Sequence, residues 1–206
     1  MRGSDALIQT AVAAGVDTVF SNPGTTEMDL VRAIGNQTQI RSILGLFEGA
    51  VTGMADGYGR MRRAPALTLL HLGVGLGNGI ANLHNARRAQ SPIVNLVGDH
   101  PQEHLPFDAP LTSDIASLAT PVSDWVRVTR SSDQAASDVA EAISVALTTP
   151  GHVCTLIAPA DVMGNEGAAP ASPLTASPAP PASKTTVEDA ARALQSGNEA
   201  ALLVSG

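Results

Sequence analysis

The chain has 206 residues, a net charge of −7 at pH 7, and 44% hydrophobic but only 2% aromatic residues, which suits one domain with a core of small aliphatic side chains plus part of another. Its acidic balance, with no basic cluster longer than Arg60 to Arg63, excludes the basic stripe that nucleic acid binding requires. No apolar run approaches the roughly 20 residues that span a bilayer, and the N-terminus lacks the apolar core of a signal peptide, so we expect a cytoplasmic protein with no membrane partner.

Short apolar runs alternate with helical patterns along the chain, and this alternation predicts parallel strands joined by crossover helices. The expected fold class is α/β, a doubly wound six-stranded parallel sheet with helices on both faces. Ser4 and Ser113 are the predicted N-caps of two helices. Strands are predicted over residues 17–20, 40–47, 66–71, 93–97, 125–128 and 153–157. Helices are predicted over residues 4–14, from 26 onward, 49–61, 77–88, from 113 onward, 133–148 and 186–195.

A segment rich in Ala, Pro and Ser over residues 164–184 cannot pack a core and is typical of an extended linker. We therefore expect a first domain over residues 1–163, the linker 164–184, and residues 185–206 as the truncated start of a second α/β domain. One helix and one strand, predicted over residues 200–205, cannot bury their apolar faces alone.

Three unusual sequences fall at the carboxyl ends of predicted strands, where ligands gather in an open parallel sheet. They are N-P-G-T-T-E at residues 22–27, F-E-G-A at residues 47–50, and H-L-G-V-G-L-G-N at residues 71–78. Their coincidence at one edge of the sheet is the main indication of a functional site.

Glu48 follows the apolar run 43–47 and begins a helix that contains several glycines. A carboxyl group at such a position is partly desolvated and can share a proton with a ligand nitrogen. The competing interpretation is an acid that stabilises the dipole of the helix it begins. The residues around Glu48 leave both interpretations open.

His71 ends an apolar strand and faces a glycine-rich turn that leaves room for a ligand, although a histidine at a strand end is often a satisfied structural residue. The glycines of that turn are typical of a phosphate-cradling loop, but no window matches G-x-G-x-x-G. Asp99 keeps a dinucleotide-binding interpretation open, although Gly98 separates it from the predicted end of the strand.

The pattern H-x-x-E-H at residues 100–104 has the spacing of a zinc protease motif, whose two histidines must share one face of a helix. Pro101 and Pro106 disfavour such a helix. We therefore predict no metal site there and expect a polar active-site loop.

Taken together, the three sequences resemble the N-terminal, pyrimidine-binding domain of the thiamine-diphosphate-dependent enzymes related to acetolactate synthase and benzoylformate decarboxylase. Asn22-Pro23-Gly24 matches the family's turn after the first strand, and residues 48–60 match E-x-x-A-x-x-x-A-x-G-Y-A-R except at two alanine positions, the second of which is Gly59. Residues 73–92 match the family's glycine-rich turn, helix and S-P at the start of the next strand. The resemblance covers residues 4–162.

By this resemblance, Glu48 is the catalytic residue that hydrogen-bonds N1′ of the cofactor's aminopyrimidine. Thr25 and His71 then face the substrate, and His71 is a second catalytic residue that transfers protons, as in benzoylformate decarboxylase-like enzymes. The cofactor accepts the electrons that carbon dioxide leaves behind when it departs from a 2-oxo acid. The residues implied to bind the cofactor are Asn22, Pro23, Gly24, Glu48 and Asn78.

The resemblance implies thiamine diphosphate and Mg²⁺ as cofactors, with the diphosphate and metal held by another domain through a G-D-G motif. Gly98-Asp99-His100 lacks the second glycine of that motif, so the fragment alone is expected to be inactive. The family also implies a homo-oligomer, a dimer or a tetramer, with its active site at the subunit interface. FAD binding is left open by the sequence.

His71 favours a 2-oxo acid decarboxylase, because standard acetolactate synthases have T-S-G-P-G there. The surroundings of Gly98, Asp99 and His100 also resemble a divergent branch labelled acetolactate synthase large subunit, so decarboxylase and carboligase both stay open. A dinucleotide-binding module and a noncatalytic domain that keeps the fold are the competing hypotheses.

Overall fold

The computed structural model describes residues 1–197, 199–201 and 203. Its six strands are β1 (Thr18–Asn22), β2 (Arg41–Leu44), β3 (Ala66–Leu70), β4 (Ile93–Asp99), β5 (Trp125–Val128) and β6 (Val153–Pro159). Its α-helices are α1 (Gly3–Ala13), α2 (Met28–Gly35), α3 (Glu48–Arg62), α4 (Leu72–Arg88), α5 (Ile115–Ala119), α6 (Ala135–Leu147), α7 (Ala160–Gly164) and α8 (Lys184–Leu194).

The strands form one sheet in the order β2-β1-β3-β4-β6-β5, and every neighbouring pair is parallel. The predicted doubly wound α/β fold is therefore confirmed. From β1 the chain adds β2 on one side and β3 on the other, so the direction of winding reverses between β1 and β3. In open α/β sheets a ligand crevice opens at such a switch point, beyond the carboxyl ends of the strands.

Alternating side chains of the central strands pack on opposite faces of the sheet, as the period of two requires. Leu67 and Leu69 contribute to the core beneath α1, α2 and α6. Ala66 and Leu70 contribute to the core beneath α3, α4 and α5. Fully burying each leucine stabilises the fold by roughly 1.5–3 kcal/mol, so both faces hold the helices firmly.

A buried polar ladder crosses the second of these cores at one level of the sheet. The Thr68 hydroxyl donates to Asn95 Oδ1 at 2.8 Å, and Asn95 Nδ2 donates to Thr155 Oγ1 at 3.1 Å. Ser123 Oγ lies 2.8 Å from Thr155 Oγ1 and extends the ladder. Because an unpaired polar group would be costly here, these bonds favour one register of β3, β4 and β6.

Three predicted boundaries are wrong for local reasons. Helix α1 begins at Gly3, so Ser4 is not its cap but a buried residue whose hydroxyl accepts a hydrogen bond from Arg32 Nη2 at 3.2 Å. Asp114, rather than Ser113, caps α5 by accepting from the Ser117 backbone N–H. Strand β2 ends at Leu44, because residues 45–47 leave the sheet before α3 begins.

The largest correction concerns the glycine-rich turn. Residues 73–77 are not a loop, because α4 begins at Leu72 and continues through them. Leu72 itself adopts a left-handed φ of 53°, which makes the sharp bend from β3 into the helix. The glycines therefore lie on the first two turns of α4.

The segment after α7 is irregular over residues 167–183, but its first part lies against the sheet domain. Ala168 is buried beside Ala6 and Ala136, and the Ala171 N–H donates to Thr10 Oγ1 at 2.9 Å. Helix α8 is exposed along its length and is capped by Ser183. The boundaries at 164 and 184 stay predictions.

The strand predicted over residues 200–205 lies partly outside the described residues. Within the described ranges, no helix is long and apolar enough to cross a membrane.

Candidate active site

The three unusual sequences meet at the carboxyl edge of the sheet beside the switch point. Asn22, the last residue of β1, pairs in register with Leu70, and His71 follows directly. Glu48 begins α3 after the chain leaves β2, and Asn78 projects from the second turn of α4. The fold therefore brings residues that are far apart in the sequence to one end of neighbouring strands.

Glu48 is half-buried and has a single side-chain partner within the described part of the chain. Asn78 Nδ2 donates to Glu48 Oε2 at 3.0 Å, whereas Oε1 has no hydrogen-bond partner there. No lysine, arginine or histidine of the described residues lies within salt-bridge distance of this carboxylate. One oxygen is thus held in place and the other is left to accept a hydrogen bond from a ligand.

The glycines of α4 allow α3 to approach closely. A Cβ atom at Gly75 would lie 3.3 Å from Glu48 Oε1, and one at Gly79 would lie 2.7 Å from Thr52 Cγ2. Asn82 Nδ2 also donates to the Gly49 carbonyl oxygen at 2.6 Å. The glycine spacing therefore sets how near the start of α3, and with it Glu48, lies to α4.

A second carboxylate, Glu27, lies at the same edge and is fully buried. It ends a short turn over Thr25–Glu27 that folds its side chain back onto the preceding backbone. Oε2 accepts from the Gly24 N–H at 2.7 Å and lies 2.9 Å from His71 Nδ1, while Oε1 accepts from the Thr26 hydroxyl at 2.6 Å. This carboxylate, unlike Glu48, is satisfied by the protein.

Two glycines make room for this pair of side chains. A Cβ atom at Gly98 would lie 1.7 Å from Glu27 Oε1, and one at Gly24 would lie 2.2 Å from His71 Nδ1. Strand β4 continues through Gly98 to Asp99, so the predicted strand end at residue 97 is wrong and Gly98 does not separate Asp99 from the strand; instead it has a packing role beneath Glu27.

Asp99 ends β4 beside this cluster and is only 8% exposed. Burial raises the pKa of its carboxyl group above the ordinary value, although the backbone N–H of His100 donates to it at 2.8 Å. His100 Nε2 lies 3.0 Å from the Pro110 carbonyl oxygen. Among the residues that the structure describes, no group of three His, Cys, Asp or Glu is placed to hold a metal ion.

The edge around Glu48 also carries exposed apolar side chains. Leu44, Leu46 and Phe47 lie on the segment that leads into α3, and Leu46 is 92% exposed. Val74, on the first turn of α4, is exposed as well. Such a concentration of apolar surface beside polar groups is typical of interaction surfaces.

The predicted site residues are therefore placed together at one edge, with Thr25 exposed and Pro23 and Gly24 partly buried. Sequence reasoning missed the contribution of Glu27, although the N-P-G-T-T-E sequence contains it. The buried contact with His71 depends on the order of β1 and β3 in the sheet, which no local pattern specifies. The sequence offers one indirect indication, Gly98, because a glycine in a central strand often marks a place where another side chain packs closely.

Comparisons with known proteins agree on a family. Residues 1–118 match the model of the thiamine pyrophosphate enzyme N-terminal TPP binding domain, thiamine pyrophosphate being another name for thiamine diphosphate. A protein of Mycobacterium tuberculosis named as acetolactate synthase large subunit IlvX is 48% identical over all 206 residues. Benzoylformate decarboxylase of Pseudomonas aeruginosa is 37% identical over 136 residues, which is 66% of this chain and 25% of that protein.

A solved structure resembles the chain as well. The thiamine diphosphate-dependent 4-hydroxybenzoylformate decarboxylase of Rhodococcus jostii RHA1 superposes with a TM-score of 0.86 at 28% identity, over 95% of this chain and 38% of that one. The chain also spans only 39% of the length of the mycobacterial relative. This chain therefore spans about two fifths of the length of each of these two proteins.

Proposed function

We propose that this chain, which belongs to the thiamine pyrophosphate enzyme family as its N-terminal TPP binding domain, activates the cofactor of an enzyme that acts on 2-oxo acids. The observation that carries the proposal is the carboxylate of Glu48, held on one oxygen by Asn78 and open on the other. A carboxylate in that state suits a ring nitrogen that must be protonated while the cofactor reacts.

The residues around Glu48 fit an aminopyrimidine ring. A flat heteroaromatic ring needs a hydrogen-bond acceptor at one edge and a surface without side chains along its face. Glu48 supplies the acceptor, and Gly75 leaves a surface without a Cβ directly beside its Oε1. Asn22, Pro23, Gly24 and Asn78 complete the proposed cofactor-binding set.

When bound, thiamine diphosphate supplies a nucleophilic carbon and accepts the electrons released as carbon dioxide leaves. The chain's own contribution is to hold a proton between Glu48 and the pyrimidine nitrogen and to orient that carboxylate through Asn78. His71, with a side chain that is 21% exposed, is proposed to move a proton at the substrate. Thr25, exposed one residue after Gly24, is proposed to contact the substrate.

The exposed apolar residues support a second subunit at this edge. We propose that Leu44, Leu46, Phe47 and Val74 are covered in a homo-oligomer, dimer or tetramer, whose neighbouring subunit supplies the diphosphate-binding domain with Mg²⁺. Covering these side chains would also exclude water from Glu48. The reaction would take place in the cytoplasm and requires the full-length protein.

His71 favours a decarboxylase over a carboligase within the proposed function. An imidazole at the substrate can protonate the carbon that has lost carbon dioxide and so release an aldehyde, whereas a carboligase must keep that carbon free to attack a second substrate. The activity names of two relatives, acetolactate synthase and benzoylformate decarboxylase, belong to the carboligases and the decarboxylases respectively.

The test uses the full-length protein with Mg²⁺ and thiamine diphosphate. Carbon dioxide release from a panel of 2-oxo acids is measured for the wild type, Glu48→Gln and the exposed control Glu188→Gln on α8. We expect Glu48→Gln to lower kcat by about 10²- to 10⁴-fold and the control to match the wild type. Equal release by the wild type and Glu48→Gln would overturn the proposal.

A further inference from the structure

We propose that Glu27 is a positioning residue that fixes the hydrogen of His71 on Nδ1 and leaves Nε2 bare to meet the substrate. This inference rests on the proposed role of His71 in proton transfer and extends it to a residue that does not touch the substrate. It follows from the hydrogen bonds around the Glu27 carboxylate and from the two glycines that enclose it.

The Glu27 carboxylate accepts hydrogen bonds from groups that can only donate or are oriented to donate. The Gly24 backbone N–H, which has no acceptor capacity, lies 2.7 Å from Oε2. The Thr26 hydroxyl lies 2.6 Å from Oε1. An ionised carboxylate is an acceptor on both oxygens, so the third neighbour, His71 Nδ1 at 2.9 Å, completes the set as a donor.

The ring of His71 is thereby held in one tautomer. A neutral imidazole carries a single N–H hydrogen, and the nitrogen that carries it is set by the partner of the other nitrogen. With Nδ1–H donating to Glu27, Nε2 keeps its lone pair. Within the described residues nothing hydrogen-bonds to Nε2, so this is the nitrogen available to a substrate.

The backbone is shaped to hold the pair in this arrangement. The backbone at Gly98 lies so close to Glu27 that a Cβ atom there would overlap Oε1. A Cβ atom at Gly24 would likewise overlap His71 Nδ1. Each glycine backbone therefore closes one side of the pair, and a side chain that swung away would lose the hydrogen bond between Glu27 and His71. A side chain fixed by packing and by hydrogen bonds is the arrangement that proton transfer requires, because small displacements of a catalytic group are costly.

The chemical consequence concerns the first step of proton transfer. A bare Nε2 can take up a proton from solvent, to which the side chain is partly exposed, and deliver it to the carbon that has lost carbon dioxide, while Nδ1 stays protonated and bonded to Glu27 throughout. Without an acceptor at Nδ1, neutral histidine in water prefers the hydrogen on Nε2, and the ring would offer the substrate a donor instead. Loss of Glu27 should therefore impair proton transfer without removing any group that contacts the substrate.

A first test needs neither cofactor nor turnover. ¹⁵N spectra of the histidine-labelled full-length protein report which ring nitrogen carries hydrogen, and His71→Asn identifies the His71 signals among those of the other histidines. We expect Nδ1–H in the wild type and in Glu27→Gln, whose amide oxygen still accepts, and mainly Nε2–H in Glu27→Leu. An Nε2–H tautomer in the wild type would overturn the proposal even if Glu27→Leu failed to fold.

A second test is a double-mutant cycle on carbon dioxide release. His71→Asn keeps a donor near the position of Nδ1 but removes Nε2, so it is the matched partner for Glu27→Leu. We expect Glu27→Leu to lower kcat about 10- to 100-fold with KM changed less than about threefold, and Glu27→Gln to recover part of that loss. In the His71→Asn background, Glu27→Leu should cause no further loss of kcat.

The outcomes separate this inference from the proposed function. Independent losses from Glu27→Leu and His71→Asn, multiplying in the double variant, would assign Glu27 a structural role and overturn the positioning role alone. If Glu48→Gln kept wild-type turnover in the same assay, the proposed function would fail regardless of the cycle.

Discussion

The two carboxylates at the carboxyl edge, Glu27 and Glu48, differ in almost every physical respect. Glu27 is fully buried and is enclosed by Gly24, Thr26 and His71, each within hydrogen-bond distance. Glu48 is half-buried, and its described partner is the amide of Asn78. A buried acid must be satisfied by the protein, whereas a half-exposed acid can leave an oxygen for a ligand.

The difference in burial and hydrogen bonding distinguishes two kinds of functional residue that cannot be told apart from the sequence alone. Both acids follow strand ends, and both lie within three residues of a glycine. The satisfied one orients a neighbour, and the unsatisfied one is proposed to meet the cofactor. Glu27 should therefore matter for stability as well as for the orientation of His71, and Glu48 for activity with little effect on stability.

The largest effect on stability should come from Gly98→Ala. The added Cβ would overlap the Glu27 carboxyl group, which is buried and cannot rotate away without losing its partners. We expect unfolding free energy to fall by about 3 kcal/mol. Urea unfolding of the full-length protein measures this change.

Gly57→Ala is the matched control, because nothing lies within 4 Å of the Cβ position at Gly57 in the middle of α3. It should stabilise by about 0.5–1 kcal/mol through helix propensity. Equal effects of the two substitutions would mean that the tight enclosure of Glu27 has no energetic weight.

Alanine at the two acids should separate them next. Glu27→Ala leaves the Gly24 N–H, the Thr26 hydroxyl and His71 without their acceptor, which should cost about 2 kcal/mol of unfolding free energy. Glu48→Ala should change the same quantity by less than about 0.5 kcal/mol. A loss at Glu48 as large as that at Glu27 would show that the two acids are both structural.

A smaller effect is expected from Asn78→Ala, which frees the Glu48 carboxylate to rotate. Turnover of 2-oxo acid should fall about tenfold with almost no loss of stability, because one exposed hydrogen bond is removed. Asn85→Ala, at an exposed asparagine two turns later on the same helix, is the control and should leave turnover unchanged. An unaffected Asn78→Ala would remove Asn78 from the proposed site.

A third acid at the same edge, Asp99, gives the smallest expected effect and extends the comparison to pH. Burial raises the pKa of its carboxyl group, so folding favours its neutral form. The wild type therefore loses stability as pH rises through that raised pKa, because the buried carboxyl group must ionise. Asp99→Asn has no group to ionise there, so its stability does not change for this reason. Urea unfolding should find the two proteins equally stable in acid and Asp99→Asn more stable at neutral pH; a reversed order would contradict the assigned burial.

The sequence specifies much of the fold because the local patterns agree with one another. The apolar strand around Leu67, the helix after Glu48 and the alternation of elements each predict their own part of the parallel sheet. Errors fall at boundaries: Ser4 is buried against Arg32 of another helix, and the cap of α5 lies one residue after the predicted one, at Asp114. The helical conformation of residues 73–77 could not be predicted, because glycine disfavours a helix. Here glycines allow α3 to pack closely against α4, and that contact is not visible in the sequence.

The candidate site is only partly predictable for a related reason. Glu48, His71 and Asn78 stand in distinctive local sequences, so they could be selected without coordinates. The contact between Glu27 and His71 spans 44 residues and depends on β1 lying beside β3. Strand order is a property of the whole chain, so this hydrogen bond appears only once the sheet is known.

The most direct test of the central claim is a crystal structure of the full-length protein with thiamine diphosphate and Mg²⁺. A Glu48 carboxylate oxygen is predicted to lie about 2.5–3.0 Å from N1′ of the aminopyrimidine, with Asn78 still bonded to the other oxygen. A pyrimidine ring bound elsewhere, or a Glu48 side chain more than about 4 Å from that nitrogen, would contradict the account.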